Sequence, residues 1–330
     1  MTALIDRYDA AFFDLDGVIY LGPLAVEGAT GALGALQTRG TTVMFVTNNA
    51  ARAAQVVIDQ LNGLGFHADD HNVLTSAQVA VAHIARELPA GAKVLVSGSA
   101  SLADLVAEAG LAPVQKASDE PVAVVQGYDP AMTWPRLDEA ALAIQAGAKW
   151  YATNDDASRP TERGLVPGAG GAIAVIGLTV GGEPTIFGKP FRPMLDEAIR
   201  RTAASRPIFV GDRIDTDIVG AVNAGIDSLM VFTGAHGKAD LIGTRPNERP
   251  THIGADVGAL LLPAREVEVS DTSARCGGQQ ATVVDGAIVL PDTPADMAGQ
   301  LDALWAVAQL AWQHTELDSS AALAALDLVR

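Results

Sequence analysis

Ala10-Ala11-Phe12-Phe13-Asp14-Leu15-Asp16-Gly17-Val18 is the stretch on which the reading of the whole chain turns. An apolar run leads straight into two carboxylates two residues apart, and a glycine follows. Side chains alternate along a strand, so this spacing aims Asp14 and Asp16 toward one locale as the chain leaves a sheet. Two carboxylates about 4 Å apart repel by about 4 kcal/mol at an effective dielectric constant near 20. A hard divalent cation that prefers oxygen ligands, with Mg²⁺ the leading choice, cancels that repulsion and draws in phosphate. A solvated turn is the competing reading of these residues taken alone.

Outward from this stretch, apolar β-rich runs alternate with Ala- and Leu-rich amphipathic segments as far as about Leu262, the pattern of βα units. Strands are predicted over 10–14, 42–46, 93–96, 122–125, 150–153, 207–210 and 227–231. Gly, Ser, Asn or Asp follows each of them. Polar residues therefore gather at strand C-termini, the edge where open parallel sheets bind ligands. Breaks at Pro89-Ala90-Gly91 and Gly181-Gly182-Glu183-Pro184 predict an inserted domain over 89–183, with 1–88 and 184–262 as the core. Beyond Pro263 the character changes to two predicted strands, 265–269 and 281–290, and two helices, 294–314 and 318–329. The fold expected is α/β: a Rossmann-like parallel-sheet core, an inserted α/β cap domain and a small C-terminal α+β extension. Trp305 and Trp312 lie two helical turns apart and form a stripe that must be covered, by core packing or by a homodimer contact.

Three more strand ends carry chemistry. Val43-Met44-Phe45-Val46-Thr47-Asn48-Asn49 ends in a hydroxyl and two amides ahead of a helix, where N–H groups and a Thr can seat an anion; helix capping is the plainer reading. Phe187-Gly188-Lys189-Pro190 places a lysine after a short apolar strand. Ile208-Phe209-Val210-Gly211-Asp212-Arg213-Ile214-Asp215-Thr216-Asp217 offers Asp212 as a metal ligand and Asp217, about one helical turn further on, to orient the ligand shell. Taken jointly, the four segments supply nucleophile, acid, anion seat, cation and metal ligands for phosphoryl transfer.

Composition limits the partners. Of 330 residues, 22 are Lys or Arg and 39 are Asp or Glu, a net charge of −17, which argues against nucleic acid and anionic membranes. Hydrophobic residues make up 49%, yet no apolar run reaches the roughly 18 residues of a membrane span. A single cysteine, Cys276, cannot form an internal disulfide, and no cationic head precedes a long apolar stretch near Met1. Both features lead to the expectation of a cytoplasmic protein without a secretory signal.

The order Asp14-Leu15-Asp16-Gly17-Val18, Thr47-Asn48-Asn49, Gly188-Lys189-Pro190 and Gly211-Asp212 with Thr216-Asp217 resembles the haloacid dehalogenase superfamily of phosphatases. The long insertion is similar to the capped subgroup that includes nitrophenyl phosphatase, glycerol-phosphate phosphatase and NagD. The resemblance covers about residues 8–262 and not the tail. It implies Asp14 as nucleophile and Asp16 as general acid and base. It further implies Mg²⁺ held by Asp14, the Asp16 backbone carbonyl and Asp212, with Asp217 in the outer shell. Thr47, the Asn48 backbone and Lys189 would hold the phosphoryl oxygens, and Asp215 receives no role. The loop Ala152-Thr153-Asn154-Asp155-Asp156-Ala157-Ser158-Arg159-Pro160 would roof the site, with Asn154, Asp156 and Arg159 as substrate-binding candidates. A small phosphorylated metabolite is the expected partner. Glycerol phosphate and phosphoglycolate fit best, with sugar phosphates, nucleotides and pyridoxal phosphate left open; a phospho-aspartate receiver is the alternative of another class.

Two lookalikes are set aside. Gly168-Ala169-Gly170-Gly171 follows a Pro-bearing loop where a dinucleotide site needs a strand, and reads as the start of an apolar helix. His67 and His71 have zinc-pair spacing but fall in a predicted loop without a catalytic Glu between them.

Overall fold

Ala10–Phe13, four buried apolar residues, forms the central strand of a parallel sheet. Thr42–Thr47 pairs on one side of it, with Phe12 opposite Met44, and Pro207–Gly211 on the other, with Phe12 opposite Phe209. Asp227–Val231 and then His252–Gly254 continue the sheet beyond Pro207–Gly211. Strands later in the chain thus flank the first on both sides, and the order reverses at the end of Ala10–Phe13. Parallel α/β sheets open their ligand crevice at such a reversal. Asp14 lies immediately past that strand end, where its N–H donates to Val210 O at 2.9 Å.

The computed structural model describes residues 2–161 and 163–330. Backbone proximity divides the chain into two units. One takes in the segments up to residue 45, 64–66 and 202–330; the other takes in 46–63 and 67–201.

The second unit holds its own parallel sheet, in the order Thr185–Ile186, Lys149–Ala152, Ala123–Gln126, Lys93–Ser97, Ala112–Val114. Leu95, Val124 and Trp150 pack with Leu137, Ala140 and Ala143 of the Trp134–Gln145 helix and Ile176 of the Ala169–Val180 helix. Part of the stretch expected as a loop is a strand. Ser158–Thr161 pairs antiparallel with Gly164–Pro167, setting Arg159 opposite Val166. Its mixed polar and Pro-bearing sequence carries little strand signal, and the hairpin partner supplies the missing half of the pattern.

The tail belongs to the first unit. Where two strands were expected there are four, antiparallel and in sequence order: Val267–Val269, Ser273–Cys276, Gln279–Val284 and Ala287–Val289. The run 281–290 is broken by Asp285-Gly286, both with positive φ, 48° and 81°. That dipeptide is a strong hairpin signal. The Met297–Gln313 helix packs on the Ser273–Cys276 and Gln279–Val284 strands. Leu301, Leu304, Trp305 and Val307 join Ile214, Ile218, Met230 and Ile253 in one buried cluster, so the tail and the parallel sheet share a core. The tryptophan stripe is covered within the chain: Trp305 is buried, and its ring meets Trp312 edge to face at 5.4 Å. Arg249 stacks over Trp312, 5.0 Å from the ring centroid. Among the described residues no helix is long and apolar enough to cross a membrane.

Candidate active site

In the first unit, two strand-end carboxylates and a third from the turn that follows converge. Asp14, Asp212 and Asp217 are each less than 9% exposed, and each offers an oxygen within 4.8 Å of the other two. A wide π-type turn over Ile214–Ile218 folds Asp217 back on its own strand end. There its Oδ2 accepts from the N–H groups of Asp212, 3.2 Å, and Arg213, 3.1 Å. Gly211 permits this, because a Cβ at that position would come within 2.2 Å of Asp217 Cβ. Asp212 Oδ2 accepts from Ala235 N at 2.5 Å. Gly17, with φ of 92°, approaches Asp212 so closely that a Cβ would lie 2.6 Å from Oδ2. Asp16 is exposed, and Asp215 pairs with Arg213 at 2.6 Å.

Buried carboxylates this close are costly without a cation, and backbone N–H groups offset only part of their charge. An all-oxygen set of this kind suits a hard ion such as Mg²⁺. It is the one such group among the described residues. His67 and His71 lie exposed and outside it, and burial pushes the Cys276 thiol up to about 12, away from nucleophilic character.

The loop Thr233-Gly234-Ala235-His236, which none of the sequence motifs includes, packs against Asp212 and Gly17. It supplies the Ala235 N–H, the Thr233 hydroxyl donates to Gly17 O at 2.5 Å, and His236 N donates to Asp212 O at 3.2 Å. Its signal was available, since a Thr-Gly pair follows the strand Asp227–Val231 one residue on, after Phe232, at the same sheet edge.

In the second unit, a polar group is built around Asn48. Its Nδ2 donates to Lys189 O at 2.8 Å and its Oδ1 accepts from Lys189 N at 2.8 Å, so one amide clamps both backbone groups of the lysine. The same Nδ2 donates to Asp156 Oδ1 at 3.0 Å, and Asn154 Nδ2 donates to Asp156 Oδ2 at 2.8 Å. Ser76, fully buried at the start of the Ser76–Glu87 helix, donates to Asn48 O at 2.8 Å, a contact absent from any motif. Thr47 is buried and its Oγ1 accepts from Asn49 N at 3.1 Å. Lys189 is 2% exposed, with Nζ 3.4 Å from Val46 O. Gly188 admits this packing, because a Cβ there would sit 2.7 Å from Asn48 Oδ1. The glycines of the set-aside run also have a purpose: at Gly168 and Gly170 a Cβ would collide with the carbonyls of Asp156 and Asp155. The helix start thereby grips the Asp155-Asp156 loop. Arg159 stands apart from this group, exposed, with Nε 2.8 Å from the Tyr128 hydroxyl and its guanidinium 5.0 Å from that ring's centroid.

Residues 11–112 match a haloacid dehalogenase-like hydrolase family, and 186–260 a second family of haloacid dehalogenase-like hydrolases. The chain is 41% identical over 290 residues to D-glycerol 3-phosphate phosphatase of Mycobacterium tuberculosis, spanning 88% of this chain and 80% of that one. The chain belongs to the haloacid dehalogenase-like hydrolases. This hydrolase superimposes on the glycerol phosphate phosphatase of Mycobacterium tuberculosis in complex with magnesium with a TM-score of 0.85 and 38% identity, over 99% of this chain and 98% of the other. It also superimposes on p-nitrophenyl phosphatase from Archaeoglobus fulgidus, with a TM-score of 0.72 and 26% identity, over 77% of this chain and 98% of that one.

Proposed function

We propose that this haloacid dehalogenase-like hydrolase is a Mg²⁺-dependent phosphatase of small phosphomonoesters, with glycerol phosphate as the first candidate substrate. The observation that carries this reading is the buried trio Asp14, Asp212 and Asp217, held within 4.8 Å where the strand order reverses. Similarity to glycerol phosphate phosphatase supports the choice of ester.

In this reading, Asp14 attacks phosphorus in line and becomes an aspartyl phosphate while the P–O bond to the leaving alcohol breaks. Asp16, exposed where Asp14 is buried, protonates the leaving alkoxide, then takes a proton from the water that hydrolyses the aspartyl phosphate. Asp14, the backbone carbonyl of Asp16 and Asp212 would hold Mg²⁺, with Asp217 orienting the set. Bound there, the ion supplies charge neutralisation for the incoming phosphate. Thr47, the Asn48 backbone and the Lys189 ammonium hold the phosphoryl oxygens, where charge grows in the transition state; loss of one such donor costs about 10²–10³ in kcat. The segment 89–183 serves as the substrate-selecting cap in this reading. Asn154 and Asp156 act through the Asn48 network, and Arg159 is kept as a candidate for contact with the ester. The protein acts in the cytoplasm.

A panel of phosphomonoesters, read by phosphate release, tests the assignment. Glycerol phosphate is expected to give the highest kcat/KM, and EDTA to stop turnover until Mg²⁺ is restored. Turnover that persists after complete metal removal contradicts the proposed mechanism. A preference of about tenfold or more, roughly 1.4 kcal/mol, for a sugar phosphate or nucleotide keeps the mechanism and overturns the substrate.

A further inference from the structure

The segment 326–330 lies strapped against the loop that holds Asp212. Leu326 and Val329 are buried in the cluster that includes Ile214 and Ile218, the ends of the turn carrying Asp217. Gln300, 1% exposed, grips the strap twice: its Nε2 donates to Asp327 Oδ1 at 2.7 Å, and its Oε1 accepts from Leu328 N at 2.8 Å. Lys238 grips it from the other side, its N–H donating to Arg330 O at 2.6 Å and its Nζ to Leu326 O. Gly237 makes room, since a Cβ there would lie 2.8 Å from Arg330 O. So anchored, the Arg330 guanidinium donates to Gly234 O.

Gly234 O and Ala235 N belong to one peptide group. Its carbonyl accepts from Arg330 while its N–H donates to Asp212 Oδ2 at 2.5 Å. A cation on the carbonyl polarises the peptide and strengthens its N–H as a donor, so the two bonds reinforce one another. Gly234 is also where side-chain bulk is forbidden, because a Cβ would sit 1.9 Å from Asp212 Oδ2. We propose that Arg330 is a positioning residue for the metal site, orienting the Asp212 carboxylate through the Gly234–Ala235 peptide so that the tail tunes Mg²⁺ affinity. The inference rests on the reading of Asp212 as a metal ligand. It assigns the strap a role that no motif of the phosphatase core contains.

Calorimetric titration of metal-free protein with MgCl₂, in the absence of any ester, tests it. Arg330→Ala is expected to weaken Mg²⁺ binding about tenfold, the lower end of what loss of an outer-shell partner costs. Arg330→Lys, which keeps a charged donor, should stay within about threefold of the parent. Melting temperatures in EDTA should change by no more than about 2 °C for either variant. Affinity of Arg330→Ala within about twofold of the parent overturns the proposal. So does a loss of affinity matched by a clear fall in melting temperature in EDTA, which makes the contact structural. If Arg330→Ala fails to fold, Arg330→Gln takes its place under the same criteria. Asp212→Asn separates the two readings: undiminished Mg²⁺ binding in that variant removes the metal assignment itself, whereas loss there with no effect at Arg330 removes only the relay.

Discussion

Asn48 commits both ends of its amide to the backbone of Lys189, 141 positions away in the chain. A lysine has many rotamers, and its ammonium is useful only if its backbone is fixed. Removing the amide leaves a buried N–H and a buried C=O without their partner, each worth about 1–3 kcal/mol. Asn48→Ala is therefore expected to lower kcat/KM by about 100-fold, roughly 3 kcal/mol, in steady-state phosphate release. Asn48→Asp, which keeps the size but cannot donate to Lys189 O and Asp156 Oδ1, should lose nearly as much. Rates within about threefold of the parent for both contradict the clamp. Thr47-Asn48-Asn49 stood out in the sequence because a polar cluster ends an apolar strand. The clamp was not readable, since nothing local in the chain pairs residue 48 with residue 189. The contact of Arg159 with Tyr128, 31 positions away, was equally unreadable, since nothing local in the chain pairs the two.

His252–Gly254 is a three-residue edge strand that periodicity does not reveal, because so short a run carries no alternation to count. Its first residue forms part of a cross-element network. The Tyr8 hydroxyl donates to Asp227 Oδ2 at 2.7 Å and lies 3.0 Å from His252 Nε2. Burial holds the His252 imidazole below its usual range, against the pull of Asp227 in the opposite direction. A histidine whose folded pKa is depressed stabilises the fold fully above its unfolded value of about 6.5, and that stability is lost as pH falls through the folded value. The urea midpoint should consequently fall between about pH 7.5 and about pH 5, and fall less in His252→Gln, which cannot gain the charge. Parallel declines in the two proteins, followed by circular dichroism, exclude His252 as a source. The longer strands were legible to within a residue or two because their buried apolar runs end in turn formers. The pairing of Ser158–Thr161 with Gly164–Pro167 and the doubled tail strands were not, since pairing rather than composition defines them.

At the scale of the molecule, a chain of net charge −17 handles an anion, so attraction must be local and cannot come from the overall charge. The Asp14 and Asp212–Asp217 segments were legible as a cation site because carboxylates follow apolar strands there, and the structure brings the three carboxylates together. The tail was opaque, since its role lies in contacts with the Asp212 loop and not in any pattern of its own. The central claim is that Asp14 carries the phosphoryl group in mid-reaction. Rapid acid quench of the protein turning over radiolabelled glycerol phosphate, followed by peptide mass mapping, tests it most directly. The account predicts one phosphoryl group on Asp14 in the parent and none in Asp14→Asn, whose turnover should be lost. Phosphate release from Asp14→Asn within about tenfold of the parent, or label on any other residue, contradicts it.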